Sequence, residues 1–168
     1  MTTTKIDLQK LRKHLAHHMK TTHQVTTTLT NAGIEEPELT QIINTLTQEK
    51  YLNDAEYVAE YVRTDRAKNK HTSAEKIKHT LTHQHGIDPT TVEDVLSEMG
   101  AYNENLPQAI KHAEKIISKA IKPNNIETLN TQKLTIRISR QLAARGYDED
   151  TIQSAIYQAC TNLLTDIE

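Results

Sequence analysis

Apolar residues recur along this chain at helical spacing, and no stretch alternates as a strand would. The clearest segment is Tyr51-Leu52-Asn53-Asp54-Ala55-Glu56-Tyr57-Val58-Ala59-Glu60-Tyr61-Val62-Arg63. There Tyr57, Val58, Tyr61 and Val62 form the i, i+1, i+4, i+5 stripe of an amphipathic helix. Asn53 or Asp54 supplies its N-cap, and Asn53 with Glu56 has capping-box spacing. A basic run follows, with Arg63, Arg66, Lys68 and Lys70. Thr72 with Glu75 offers a second capping box. The next helix turns Ala74, Ile77 and Leu81 to one face, and Gly86 supplies the left-handed residue that ends it. Asp88-Pro89 opens a third helix, cap followed by proline in the first turn, with Val92, Val95, Leu96 and Met99 inward. The four stripe residues are predicted to be structural and to pack on Ile77, Leu81, Val92, Val95 and Leu96.

This unit of helix, turn, helix, glycine, helix recurs. Aligning Gly33, Gly86 and Gly146 places a leucine about one turn ahead of each: Leu29, Leu81 and Leu142. An apolar or aromatic residue follows at once: Ile34, Ile87 and Tyr147. Acidic cap regions come next, and Leu39, Val92 and Ile152 each lie six residues past their glycine. The apolar pairs Ile42/Ile43, Val95/Leu96 and Ala155/Ile156 complete the match. A period of about 53–60 residues is that of a helical repeat array. The predicted fold is all-α, a tandem array of three three-helix repeats, elongated and curved, over residues 1–50, 51–100 and 101–168.

The remaining helices follow from the same periodicity. A frayed tail over residues 1–5 precedes a helix from about Ile6 to Met19, with Leu8, Leu11, Leu15 and Met19 on one face. Helices over Thr22–Asn31 and Pro37–Glu49 complete the first repeat. The third repeat follows a linker at Gly100–Asn105. Its first helix spans Leu106–Ile121, with Ala109, Ile110, Ala113, Ile116, Ile117 and Ala120 inward. Pro123-Asn124-Asn125 breaks the chain. Helices over Glu127–Ala144 and from Asp148 to about Leu164 finish it.

Composition sharpens this picture. Apolar residues make up 36% of the 168, and phenylalanine and tryptophan are absent. Thin local cores inside small bundles suit that better than one large core. Net charge is only −2, and the apolar residues are periodic, which excludes a disordered chain. The charge is segregated. Residues 86–104 hold five acidic and no basic residues, and so do residues 146–168, whereas residues 105–145 hold eight basic and two acidic. Dipole preferences account for part of this alternation. Cys160 is the sole cysteine; it reads as a small buried residue beside Ile152 and Ile156, and no intrachain disulfide is possible. The N-terminus has no apolar signal core, and no run approaches membrane-spanning length. A cytoplasmic monomer is predicted.

Candidate chemistry is sparse. His14, His17 and His18, and separately His79 and His83, have spacings that can hold zinc from one helix face. Neither group has the cysteine or HExxH context of a zinc centre, so both read as exposed polar histidines, and no metal or cofactor is predicted. No GxGxxG, P-loop or GxSxG is present. The chain reads as a binding protein and not an enzyme. A three-helix unit with a tight turn also has the outline of a helix-turn-helix DNA reader. The acidic third helices and a pI near 6.5 argue against direct DNA binding as the main activity.

Taken in order, Tyr51-Leu52-Asn53-Asp54, the Tyr-Val-x-x-Tyr-Val helix, the basic run, and a leucine followed by Gly-Ile ahead of an acid-capped helix resemble the RecX family, bacterial regulators of the RecA recombinase. The resemblance spans roughly Ile6 to Leu163. It implies a regulator of homologous recombination and DNA repair within the SOS response, lying in the groove of the RecA–single-stranded-DNA filament and lowering strand exchange and ATP hydrolysis. The family carries basic residues in the stretches that hold Arg63, Arg66, Lys68, Lys70, Lys76 and Lys78, and Arg137, Arg140 and Arg145. These nine are therefore the candidate filament contacts. One departure stands out: where the family usually has a glycine after the basic run, this chain has His71-Thr72.

Overall fold

The computed structural model describes residues 7–121 and 131–165. Among them there are nine helices and no strand: α1 (Leu8–His17), α2 (Thr22–Asn31), α3 (Glu38–Gln48), α4 (Asp54–Ala67), α5 (Ala74–His83), α6 (Pro89–Glu98), α7 (Asn105–Ala120), α8 (Thr131–Ala143) and α9 (Glu149–Thr165). The predicted N-terminal tail and the Pro123-Asn124-Asn125 break lie outside the described residues.

The three glycine junctions are built alike. Gly33, Gly86 and Gly146 have φ of 84°, 67° and 87°. The residue after each glycine donates its N–H back to the aligned leucine carbonyl: Ile34 to Leu29 at 3.1 Å, Ile87 to Leu81 at 3.1 Å and Tyr147 to Leu142 at 3.3 Å. These bonds satisfy carbonyls that a helix end leaves open. All three leucines, the three residues after the glycines, and Leu39, Val92 and Ile152 are buried. Asp88 caps α6 as the sequence predicts, accepting from the Thr90 and Thr91 amides at 3.0 Å each.

By its contacts the chain divides into two compact units, Met1–Arg63 with Lys78–Leu96, and Thr64–Ile77 with Ser97–Glu168. Unit 1 has a core of Leu15, Val25, Leu29, Ile34, Leu39, Ile42, Leu46 and Leu52. Val58 and Val62 are also buried, while Tyr57 and Tyr61 are half-buried against the His85 ring, with centroids 5.6 and 5.7 Å away. In unit 2, α7 lies along α9, and α8 closes the bundle over Ala109, Ala113, Ile116, Ile117, Ile138, Leu142, Ile152, Ala155 and Ala159.

Each unit contains the same joint, which periodicity does not reveal. The buried hydroxyl of Thr21, the N-cap of α2, donates to the His85 carbonyl beside Gly86 at 2.8 Å. In unit 2 the buried hydroxyl of Ser73, just before α5, donates to the Gly146 carbonyl, also at 2.8 Å. The next amide binds the first side chain of a later helix: Thr22 to Asp54 Oδ1 at 2.8 Å, and Ala74 to Asn105 Oδ1 at 2.9 Å. Arg12–Glu49 in unit 1 and Arg66–Glu104 in unit 2 are the matching ion pairs.

Several sequence expectations need correction. Ser73, not Thr72, caps α5, since its Oγ accepts from the Lys76 amide at 3.2 Å; Thr72 is spent on Asp65. Cys160 is exposed: α9 turns Ile152, Ala155 and Ala159 inward and leaves Cys160 one position round the helix. Met19 lies past the end of α1 and is 45% exposed. On α7 the inward row includes His112, only 5% exposed.

The joint makes Gly86 costly to replace. A Cβ there would meet the His23 Cβ at 2.7 Å and Cγ at 2.3 Å, and φ is left-handed. Gly86→Ala is expected to destabilise unit 1 by about 2 kcal/mol, combining φ strain with the displacement of α2's first turn. An unshifted urea midpoint would show that the joint yields freely.

Candidate functional site

The nine basic candidates fall into two classes. Arg63 is exposed and pairs along its own helix with Glu56 at 2.9 Å and Glu60 at 3.2 Å. Lys78 pairs with Glu93 at 2.5 Å. Arg66 is drawn inward: its Nη1 donates to Asp65 Oδ1 at 3.0 Å and to the Thr72 carbonyl at 2.9 Å, and its Nε donates to Glu104 at 3.1 Å. Arg145 donates through Nε to the Lys70 carbonyl at 2.8 Å and through Nη1 to the Gln141 carbonyl at 3.0 Å. The Lys76 ammonium is bonded to the Ala144 carbonyl. These five are occupied within the fold. Lys68, Lys70, Arg137 and Arg140 are exposed, and among the described residues their side chains have no partner.

All four of these free cations belong to unit 2, and the local folding explains their exposure. α4 ends at Ala67, and the chain turns through Asn69 and His71, with φ of 50° and 54°. His71 thus keeps a left-handed backbone without being a glycine. Asp65, 3% exposed, sits inside the turn and accepts from the Thr72 amide at 3.1 Å and hydroxyl at 2.6 Å. With its carboxylate inside the turn, Lys68 and Lys70 point to solvent. The turn is fastened to residues 144–147 by the Arg145 and Lys76 bonds, by Ser73 N–H to the Arg145 carbonyl at 3.0 Å, and by the Tyr147 hydroxyl to the His71 carbonyl at 2.8 Å. Burial pushes the Tyr147 hydroxyl up to about 12, so it remains a donor at neutral pH. Arg137 and Arg140 follow directly along α8 and line a shallow depression with Lys133, Ile136 and Gln141; Ile136 is 45% exposed.

Two imidazoles lie beneath this surface. His71 Nδ1 meets Gln108 Oε1 at 2.7 Å, and His112 Nε2 meets Gln141 Oε1 at 3.2 Å. Their ring centroids are 5.8 Å apart. Burial, and then the nearby positive charge of Arg145, lowers His112 to about 4. Its Nδ1 is buried without a partner, so the ring is neutral at pH 7. Sequence reasoning missed Asp65, Tyr147 and His112 as organisers of the basic surface. His112 carried a usable signal, since Ala109, His112, Ala113 and Ile116 have i, i+3, i+4, i+7 spacing. Among the described residues no group of three or more histidine, cysteine or carboxylate side chains is placed to hold a metal, and no helix is long and apolar enough to cross a membrane.

Repeated joints define the class, an all-α helical-repeat protein. No family model matches the sequence. The chain is similar to the Regulatory protein RecX of Bacillus subtilis, 30% identical over 144 residues that cover 86% of this chain and 51% of that protein. It is likewise 30% identical to the Regulatory protein RecX of Bacillus pumilus over 154 residues, 90% of this chain and 54% of that one. The chain thus spans about half the length of the curated relatives it matches. Its fold is that of RecX from Lactobacillus salivarius, with a TM-score of 0.72 at 23% identity over 92% of this chain and 94% of that one. Over its aligned length the chain is similar to these RecX regulatory proteins.

Proposed function

We propose that the chain regulates the RecA recombinase by docking on the RecA–single-stranded-DNA filament, and that the free cations of unit 2 form the principal electrostatic contact. The observation carrying this reading is the set Lys68, Lys70, Arg137 and Arg140, exposed and without partners among the described residues, in a chain homologous to proteins named regulatory. A nucleoprotein filament offers phosphates and carboxylates, and arginine forks pair with either. Arg63 and Lys78 add charge that their carboxylate partners partly cancel. Arg66, Lys76 and Arg145 hold the surface in shape. Binding along the filament groove lowers strand exchange and ATP hydrolysis without catalysis by this chain, which acts as a monomer in the cytoplasm.

The test is a salt titration of binding to RecA filaments, and separately to DNA alone, for wild type and the Lys68→Glu/Lys70→Glu/Arg137→Glu/Arg140→Glu variant. The variant is expected to fold normally, since exposed charges contribute only about 0–1 kcal/mol each. It is expected to bind filaments more weakly and with a shallower salt dependence. Equal affinities and slopes would remove the basic surface from the interface. Tight wild-type binding to DNA alone would favour a DNA reader instead.

A further inference from the structure

We propose that the cleft between α1 and α2 in unit 1 is a docking site for an acidic amphipathic helix of a partner protein. The proposal is independent of the filament reading, which rests on the cations of unit 2. The cleft has a volume of about 490 Å³ and is lined by residues of the two helices, by Lys20 between them and by Gln84 just past α5. Its floor is apolar. Leu15, Val25 and Leu29 are core residues of unit 1, and Leu11 is half-buried beside them. Along α2 the lining runs from His23 to Leu29, a rise of about 9 Å or nearly two helical turns. An apolar trough of that length between two helices takes the side chains that a third helix presents at i, i+3 and i+4.

Charge selects the occupant. From Leu8 to Asn31 the chain holds four basic residues, four histidines and no aspartate or glutamate, although acids outnumber bases 22 to 20 overall. No carboxylate lines the cleft. Lys20, His23 and Gln84 on its rim are exposed, and their side chains have no hydrogen-bond or ion-pair partner among the described residues. Thr27 and Thr28 spend their hydroxyl protons on the His23 and Gln24 carbonyls, at 2.8 Å each. The free donors of the rim are therefore an ammonium, an imidazole N–H and a carboxamide, and carboxylates accept from all three. Arg12 of α1 is drawn to Glu49 instead, at 2.6 Å, and is no part of the lining. A nucleic-acid strand would use the charge but not the floor, since no tyrosine lines the cleft to stack a base. Glutamates flanking a row of leucines use both.

The experiment is a fluorescence-polarisation titration of the whole chain against a labelled synthetic helix of about 14 residues. The helix carries leucine at i, i+3, i+4 and i+7 and glutamate on both flanks, and a second version has lysine in place of every glutamate. The glutamate helix is expected to bind and the lysine helix to bind at least about tenfold more weakly. Lys20→Glu, which reverses the rim charge, and Thr28→Trp, which fills the trough, are each expected to weaken the glutamate helix on the order of tenfold. Both positions are exposed, so these variants fold. Arg137→Glu/Arg140→Glu is expected to leave this binding within about twofold, because those cations lie in unit 2. No binding of the glutamate helix, equal binding of the lysine helix, or affinity unmoved by both Lys20→Glu and Thr28→Trp would each overturn the proposal. So would displacement of the helix by single-stranded DNA from wild type but not from Lys20→Glu, which would make the cleft a phosphate site.

Discussion

Arg66→Ala is expected to cost unit 2 about 3–5 kcal/mol, the largest effect of any single basic residue among the nine candidates. The reason is what Arg66 leaves behind. Asp65 is 3% exposed, and Arg66 is the only cation paired with it among the described residues. Thr72 supplies Asp65 with two hydrogen bonds, but neither carries charge. Deleting the guanidinium strands a buried carboxylate and removes the donor to the Thr72 carbonyl, so the turn holding Lys68 and Lys70 loses its frame. Arg63→Ala is the control: its pairs with Glu56 and Glu60 are about half-exposed, and solvent screening should leave the urea midpoint nearly unmoved. Replacing the buried pair together, as Asp65→Asn/Arg66→Met, should recover much of the loss, because no unpaired charge remains. Urea denaturation with matched m-values reads all three. An Arg66→Ala midpoint equal to that of Arg63→Ala would mean that water reaches Asp65. The consequence for function is practical: weakened filament binding in an Arg66 variant reports the fold, which is why Arg66 is left out of the charge-reversal set.

What could be read from the sequence divides along a physical line. The helices, their caps at Asn53 and Asp88, and the glycine junctions are local, set by periodicity and by the left-handed φ that ends a helix. Leu29, Leu81 and Leu142 could therefore be aligned without coordinates, and all are buried. The joints were hidden because they pair residues far apart in sequence. Thr21 with His85, and Ser73 with Gly146, are separated by 64 and 73 residues, and a buried cap hydroxyl looks from its neighbours like any other cap. The same holds for the candidate surface. The basic stretches were evident, but which cations stay free depends on where carboxylates and carbonyls lie after folding. Arg66 and Lys70 are four residues apart in one basic run, yet one is wrapped around Asp65 and the other faces solvent. His71 shows the remaining limit. Its left-handed backbone follows from the turn, which this chain makes without a glycine, and its ring lies beside His112, 41 residues on in sequence.

Unit 2 should lose stability on acidification through His112, by about 3 kcal/mol between pH 6.5 and about 4. His112 is 5% exposed. Its pKa is lowered to about 4, first by burial and then by the positive charge of Arg145, with His71 and Lys115 adding smaller repulsions and the Gln141 bond acting in the opposite direction. In the unfolded chain the imidazole titrates near its ordinary value of 6.5. Between these two values the unfolded state binds the proton and the folded state does not. Acidification therefore favours unfolding, and stability rises with pH across the window. The full contribution is present above about pH 6.5, falls as pH drops toward 4, and is gone below that. His112→Gln keeps a neutral polar group of similar size and should flatten this part of the profile. The measurement is unfolding free energy by urea at several pH values from 7 to 4.5 for both proteins. His85, also lowered by burial, and Asp148, held low by the Thr151 amide, titrate alike in both proteins and cancel in the difference. A difference curve that stays level from pH 7 to 4.5 would show that His112 takes up its proton in the folded protein, with water or a shifted Gln141 receiving the charge.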